Sequence, residues 1–284
     1  MLLPLRALFW LSDIVRFILF DIIKYRADVE QSNLANSFTN KSKAEIEAIA
    51  RSFNKHFCDI TVESLKMSTM RRAEVKKRVK FKNIDLVQKY YDAGRNVLLY
   101  SSHVGNWEWL ITMPLYFDAP SSALYQKQSS NYINELMLQI RSRFGVRCIE
   151  SKFAYRALLT SSQSPNPFII CIIGDQVPKR NSTVHWVSFL NQKTAFFTGA
   201  AKIARKFDCV ILYPSFRKIA RGRYEVTFQL LSESSINLND QAIVELYSSA
   251  LEEQINDTPE MWLWSHKRWK RKSEDFVVMQ KSNK

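Results

Sequence analysis

A chain of 284 residues, 46% of them hydrophobic, has material for one large core, or a core with an appendage, and is too apolar to be disordered outside its last dozen residues. A formal net charge of +14 calls for an anionic partner or surface. Four cysteines with no CxxC pair argue for a reducing compartment and against a zinc site.

In chain order, Leu2 to Ile23 is strongly apolar but is interrupted by Arg6, Asp13, Arg16 and Asp21. A clean transmembrane span carries few or no charges over about 20 residues. Wound as a helix, these charges and Lys24 fall within an arc of roughly 140°. Leu3, Phe9, Trp10, Phe17, Leu19 and Phe20 are left for the other face, which predicts a helix lying in a membrane interface. A core helix and a tilted span buried against protein are the alternatives. No small-residue cleavage site is evident, which argues against a cleaved signal peptide.

The first 95 residues read as helical. Lys43 to Lys66 is a long amphipathic helix, with Ile46, Ile49, Phe53, Phe57, Ile60 and Leu65 at helical spacing and a capping box in Ser42 and Glu45. Ile84 to Asp92 is a shorter helix, closed near Gly94. From Asn96 onward strands and helices alternate. The strands are Asn96 to Ser101, Ser122 to Gln126, Val146 to Ile149, Phe168 to Ile173, Val210 to Phe216 and Tyr224 to Leu230. Helices are expected over Asn106 to Tyr116, Asn131 to Arg143, Phe153 to Ser162, Thr198 to Phe207 and Asp240 to Asn256, with Thr198 as a cap. The pattern predicts an α/β fold with a mostly parallel central sheet covered by helices. The expected organisation is an anchoring helix over 1–24, a helical segment over 25–95, an α/β core over 96–272 and a tail over 273–284.

Chemistry in such a sheet gathers at the carboxyl ends of its strands. His103 follows the first apolar strand, in Ser101-Ser102-His103-Val104-Gly105-Asn106-Trp107-Glu108. An imidazole there, with a carboxylate five residues on, is a candidate general base. Five helical residues would leave the two side chains about 140° apart. They meet only if the chain turns near Gly105 and Glu108 opens the next helix. Glu108 would then orient the imidazole and stabilise its protonated form. Asp175 and Gln176 end another apolar strand. A buried carboxylate needs a partner, and Lys127 and Lys179 are candidates. There is no G-x-S-x-G elbow, glycine-rich phosphate loop or spaced metal-ligand set, so the expectation is no metal and no cofactor.

Two basic clusters stand out. Arg71 to Lys82 holds seven basic residues, and Lys267 to Lys272 five more around Trp269. Nucleic acid, anionic lipid or an acidic carrier protein would each suit them. Pro259 to Lys270 adds three tryptophans, a composition that suits a membrane interface, base stacking or an aromatic lid on the core. The amphipathic N-terminus argues against the nucleic-acid reading.

Together these blocks resemble the late acyltransferases of lipid A biosynthesis, within the lysophospholipid and glycerolipid acyltransferase superfamily. His103 to Glu108 resembles the family's His-x4-Glu signature, Gly174-Asp175-Gln176 its Asp-Gln block, Thr198-Gly199 its Thr-Gly helix opening, and Tyr213-Pro214 its proline block. Pro259 to Lys270 resembles the closing Pro-Glu-x-Trp-x-Trp-x-His-Arg-Arg-Trp segment. Lys127 stands where the family has an arginine, losing the bidentate fork, and a loop glycine expected near Asn191 is absent. The resemblance implies transfer of a fatty acyl chain from a thioester, acyl carrier protein or acyl-CoA, to a hydroxyl of a lipid A precursor. It implies His103 as general base, with Glu108 orienting it. It implies Asn106, Trp107, Lys127, Asp175, Gln176, Lys179, Thr198 and Gly199 as substrate-binding residues. Backbone amides near Gly105 or Lys127 are candidates for the oxyanion donors. The expected partners are an anionic membrane surface and a lipid acceptor, with no nucleic acid. It implies a location at the cytoplasmic face of the inner membrane of a Gram-negative bacterium. Another lipid acceptor (a lysophospholipid, an amino-acid lipid or a glycolipid) is the alternative, and a non-catalytic membrane-peripheral protein a more distant one.

Overall fold

The computed structural model describes residues 3–272 and 274. The expected tail over 273–284 therefore lies almost wholly outside the described residues. The elements run α1 (Leu5–Arg16), α2 (Ala27–Ser37), α3 (Lys43–Lys66), α4 (Arg72–Arg78), β1 (Val79–Phe81), α5 (Ile84–Asp92) and β2 (Val97–Ser101). A 3₁₀ helix (Trp107–Leu115) follows, then β3 (Ser121–Tyr125), α6 (Asn131–Ser142), β4 (Arg147–Glu150), α7 (Ala154–Ser162) and β5 (Ile169–Ile173). The chain closes with β6 (Val184–Phe189), β7 (Gln192–Phe197), α8 (Gly199–Lys206), β8 (Val210–Ala220), β9 (Arg223–Ser232) and α9 (Asp240–Asp257).

Seven strands form one sheet in the order β1-β9-β8-β2-β5-β3-β4. The pairs β8–β2, β2–β5, β5–β3 and β3–β4 are parallel, whereas β9 returns antiparallel beside β8 and carries β1 with it. This is the expected α/β fold with a mostly parallel sheet. β2 lies near its middle, and all five of its residues are buried, as an apolar run without polar alternation requires. Ser101 at the end of β2 is in register with Ile173 at the end of β5, so the chain leaves both strands at the same rim.

Several local expectations change. The first 95 residues are not all helical, because β1 lies among them: Val79 and Phe81 are buried and Lys80 exposed. The helix expected over Asn106 to Tyr116 is a 3₁₀ helix containing Pro114, a residue without the N–H that an α-helix interior uses. A separate antiparallel hairpin, β6–β7, was not expected. Its turn puts Leu190 and Asn191 at φ 50° and 60°, and asparagine tolerates this region better than most residues. Thr198 precedes α8 without capping it through its side chain; its hydroxyl donates to the Thr183 carbonyl at 3.2 Å. The Ser42–Glu45 capping box of α3 is present, as expected.

α1 packs on α3 through Leu5, Leu8 and Phe9 against Val62 and continues as a π-helical turn over Phe17–Ile22. Its outward face is apolar: Trp10 is 71% exposed, and Leu11, Ile14, Val15, Phe17 and Ile18 are exposed beside it. Phe9 and Phe20, expected on that face, are buried instead. The interrupting charges are largely paired. Asp13 accepts from Arg221 at 2.7 Å, and Arg16 meets Asp21 at 2.9 Å. No helix among the described residues is long and apolar enough to cross a membrane.

Candidate active site

The common rim of β2 and β5 brings His103 and Asp175 together. After Ser101 the chain swings through Gly105 at φ +64°, where a Cβ would lie 2.7 Å from the side chain of Phe216. The position needs glycine for both its angle and its clearance. The turn presents His103 to Asp175, which follows β5. The His103 ring Nδ1 lies 2.6 Å from Asp175 Oδ1, and the His103 backbone N–H donates to Oδ2 at 2.9 Å. Trp262 Nε1–H donates to the same Oδ2 at 2.8 Å. Burial raises the Asp175 pKa, but the His103 charge and these donors outweigh it and hold the group at about 2. A fixed carboxylate at Nδ1 places the ring proton there and leaves Nε2 with its lone pair, the form required of a base. Nε2 lies 3.2 Å from the exposed side-chain amide of Gln176, and the Trp107 ring stands edge-on to the imidazole at 4.7 Å between centroids.

Glu108 does not orient His103. Its Oε2 accepts from Arg141 Nε at 3.0 Å and its Oε1 from Arg141 Nη2 at 2.6 Å. This bidentate pair joins the 3₁₀ helix to α6. A guanidinium presents two parallel donors, the better match for a carboxylate with two free oxygens. The expected pairing of imidazole with Glu108 is thus replaced by one with Asp175, and the expected lysine partners of Asp175 by His103 and Trp262.

Two of the other residues expected to contact substrate, Asn106 and Thr198, use their polar groups within the protein. Asn106 is buried; its amide donates to Glu63 Oε2 at 2.7 Å, and its Oδ1 accepts from the Glu108 N–H at 3.2 Å. Glu63 also receives Tyr224 OH at 3.2 Å, and burial raises its carboxyl pKa to about 7. Thr198 is buried with its hydroxyl on Thr183, and Gly199 begins α8. Lys127 and Lys179 are exposed on the loops after β3 and β5. The Gly105 N–H, a candidate oxyanion donor, donates to the Met261 carbonyl at 3.0 Å.

The closing segment is a clamp on this rim rather than a membrane-facing belt. Trp262 and Trp264 are buried, and Val104 bridges Trp262. Asn33 on α2 donates to the carbonyls of Trp264 and His266 at 2.8 and 2.9 Å. Buried Arg268 donates to the Ala195 carbonyl at 2.7 Å, and burial lowers its pKa to about 10. His266 Nε2 accepts from the Val177 N–H at 3.2 Å. Burial pushes its pKa down to about 4, so it is a neutral structural histidine. Behind the rim, Tyr247 OH donates to the Ser101 carbonyl at 2.7 Å, and its ring stacks on Tyr100 at 3.7 Å.

Beside Trp107 a cavity opens into the apolar interior. It is walled by Leu110, Ile111, Ala123, Leu124, Cys171 and Ile173, with the Glu108–Arg141 pair in its lining. Sequence reasoning missed Arg141, Trp262 and Glu63 as supports. Trp262 had a signal in the closing block; Arg141 and Glu63 had none beyond lying on helices.

An α/β sheet with an imidazole–carboxylate pair at its rim and an apolar cavity beside it has the parts of an enzyme that moves a proton next to an apolar substrate. The chain matches the family model for bacterial lipid A biosynthesis acyltransferases over residues 1–271, nearly its whole length. It belongs to that family, and it is an acyltransferase. No curated protein sequence matches it significantly.

Proposed function

We propose that the protein moves a fatty acyl chain from an acyl thioester, carried by acyl carrier protein, to a hydroxyl of a lipid A precursor at the cytoplasmic face of the inner membrane. The observation that carries the mechanism is the 2.6 Å bond from His103 Nδ1 to Asp175. Nε2 takes the acceptor hydroxyl proton as that oxygen attacks the thioester carbonyl. The tetrahedral intermediate then expels the thiolate, which takes the proton from the imidazolium. One C–O bond forms, one C–S bond breaks, and the imidazole returns to its starting state without a covalent enzyme intermediate. Ionised Asp175 stabilises the imidazolium between the two steps. Gln176, beside Nε2, is the positioned side-chain amide for the substrate oxygens.

The cavity beside Trp107 takes the acyl chain. Its walls are apolar, and it starts from residues flanking the two catalytic loops. The outward apolar face of α1 supports the membrane reading, because a helix covering a protein in water turns its polar face outward. The net charge of +14 suits an acidic carrier and an anionic bilayer together.

The test is single-site. His103→Ala, purified in detergent and given acyl carrier protein thioester and a lipid A precursor, is expected to lose about 10³-fold in turnover or more. Mass spectrometry of the lipid product reads the transferred chain. Turnover at the wild-type rate in this variant would remove His103 from the mechanism.

A further inference from the structure

Away from the catalytic rim, the tip of the β8–β9 hairpin packs directly on α1. Gly222 sits there at φ +71°, and a Cβ on it would lie 2.7 Å from the Phe9 ring and 3.2 Å from Leu5. This contact leaves a cleft walled by Leu5 and Phe9 on α1, Arg78 at the end of α4, and Arg221 and Arg223 on either side of the turn, with Arg6 at its edge. Its volume is about 790 Å³ including the open mouth.

Four guanidinium groups line this cleft, and they are not equally committed. Arg221 is neutralised by Asp13 and Asp59 and lies over the Phe9 ring at 4.6 Å. Arg78 is paired with Glu74 at 2.9 Å and donates to the Gly222 carbonyl at 3.4 Å. The carboxylates at the cleft are thus spent on these two. Arg6 and Arg223 are exposed, and neither side chain has a partner among the described residues. Two uncompensated guanidinium groups facing one concavity repel each other unless an anion sits between them, and a phosphate matches their paired donors. The basic stretch Arg71 to Lys82 leads into this cleft through Arg78 and draws anions toward it.

We propose that this cleft binds a phosphate group, and that the group is the headgroup phosphate of a membrane lipid. The apolar wall of Leu5 and Phe9 accommodates the less polar part of such a molecule. Arg6 flanks the outward face carrying Trp10 and Ile14, at the height where a headgroup lies if that face enters the bilayer. The lipid source rests on the membrane reading of α1; the phosphate chemistry does not.

The experiment uses the full chain and vesicles of phosphatidylcholine with or without one-fifth phosphatidic acid, together with the double variant Arg6→Gln/Arg223→Gln. The control is Lys77→Gln/Lys80→Gln, which removes the same charge from exposed positions outside the cleft. Wild type is expected to bind the phosphatidic acid vesicles more tightly. The cleft variant is expected to lose about tenfold more affinity than the control, with binding to neutral vesicles unchanged. Equal losses in the two variants would mean diffuse electrostatics and overturn the proposal. Thermal stabilisation by inorganic phosphate separates the two readings. If wild type binds no vesicles but phosphate stabilises it and not the cleft variant, the membrane reading fails and the cleft stands as a site for a soluble phosphate. If phosphate stabilises neither and the vesicle difference is absent, the cleft proposal fails.

Discussion

The active-site rim has two sides, and they are built on opposite principles. On the β5 side Asp175 is sealed by Trp262 and receives three hydrogen bonds, two from His103 and one from an indole. On the β3 side Glu108 is held by a single guanidinium in the wall of an apolar cavity. Both carboxylates are buried, yet one faces an imidazole, which can gain and lose a proton near neutral pH, and the other a guanidinium, which does not. In the proposed mechanism, proton handling and chain binding are thereby separated within one rim, and the carboxylate closer in sequence to His103 belongs to the second task.

The hardest test of that separation is Asp175→Asn. It keeps the shape but removes the charge that fixes the ring tautomer, and turnover is expected to fall by about 10²–10⁴-fold. The same change alters the acid limb of stability. The folded pKa of about 2 lies below the ordinary carboxylate value, so the wild type carries a stabilising contribution above pH 4 or so that fades as pH falls toward 2. Stability of the variant, followed by chemical denaturation between pH 5 and 2, is expected to be lower at the top of the range and to decline less steeply. An unchanged slope would mean that the His103–Asp175 pair is not a charged one.

This partnership shows where sequence reasoning stops. The apolar runs of β2 and β5 were legible, as were the strand-end positions of His103 and Asp175, because central parallel strands carry apolar residues on both faces. The register Ser101 to Ile173 that brings the two together was not, because it joins segments 72 residues apart through a crossover whose geometry no local spacing encodes. Glu108 is the natural sequence partner because it is the carboxylate nearest His103 along the chain and completes a His-x4-Glu spacing. The hairpin β6–β7 escaped for a different reason: its turn is made by Leu190 and Asn191 without a glycine. α3 was legible with its cap because helical period and capping chemistry are local.

A smaller effect is expected on the β3 side. Glu108→Gln leaves Arg141 without its counter-ion in a largely buried place, and breaking such a pair costs about 3–5 kcal/mol. Its melting temperature should fall accordingly, whereas turnover per folded molecule should fall less than in Asp175→Asn. The double variant Glu108→Gln/Arg141→Gln should recover part of the lost stability. If Glu108→Gln instead shifts the pH–rate profile while stability holds, Glu108 takes part in proton transfer and the two sides of the rim are not separate.

The gentlest probe leaves all charges in place. Ala123 on β3 lines the cavity, so Ala123→Phe fills space that an acyl chain would occupy. Overpacking there costs about 1–3 kcal/mol of stability, which the apolar core can bear. Short-chain thioesters should be used nearly as well as before, because His103, Asp175 and Gln176 are untouched. Longer chains should be rejected progressively. Each buried methylene is worth about 0.8 kcal/mol, so excluding two carbons costs roughly fifteenfold in relative use. Competition among thioesters of graded length, read as product masses, gives the selectivity directly. A uniform loss across all lengths would place the chain elsewhere and return this cavity, with its Glu108–Arg141 lining, to a purely structural role.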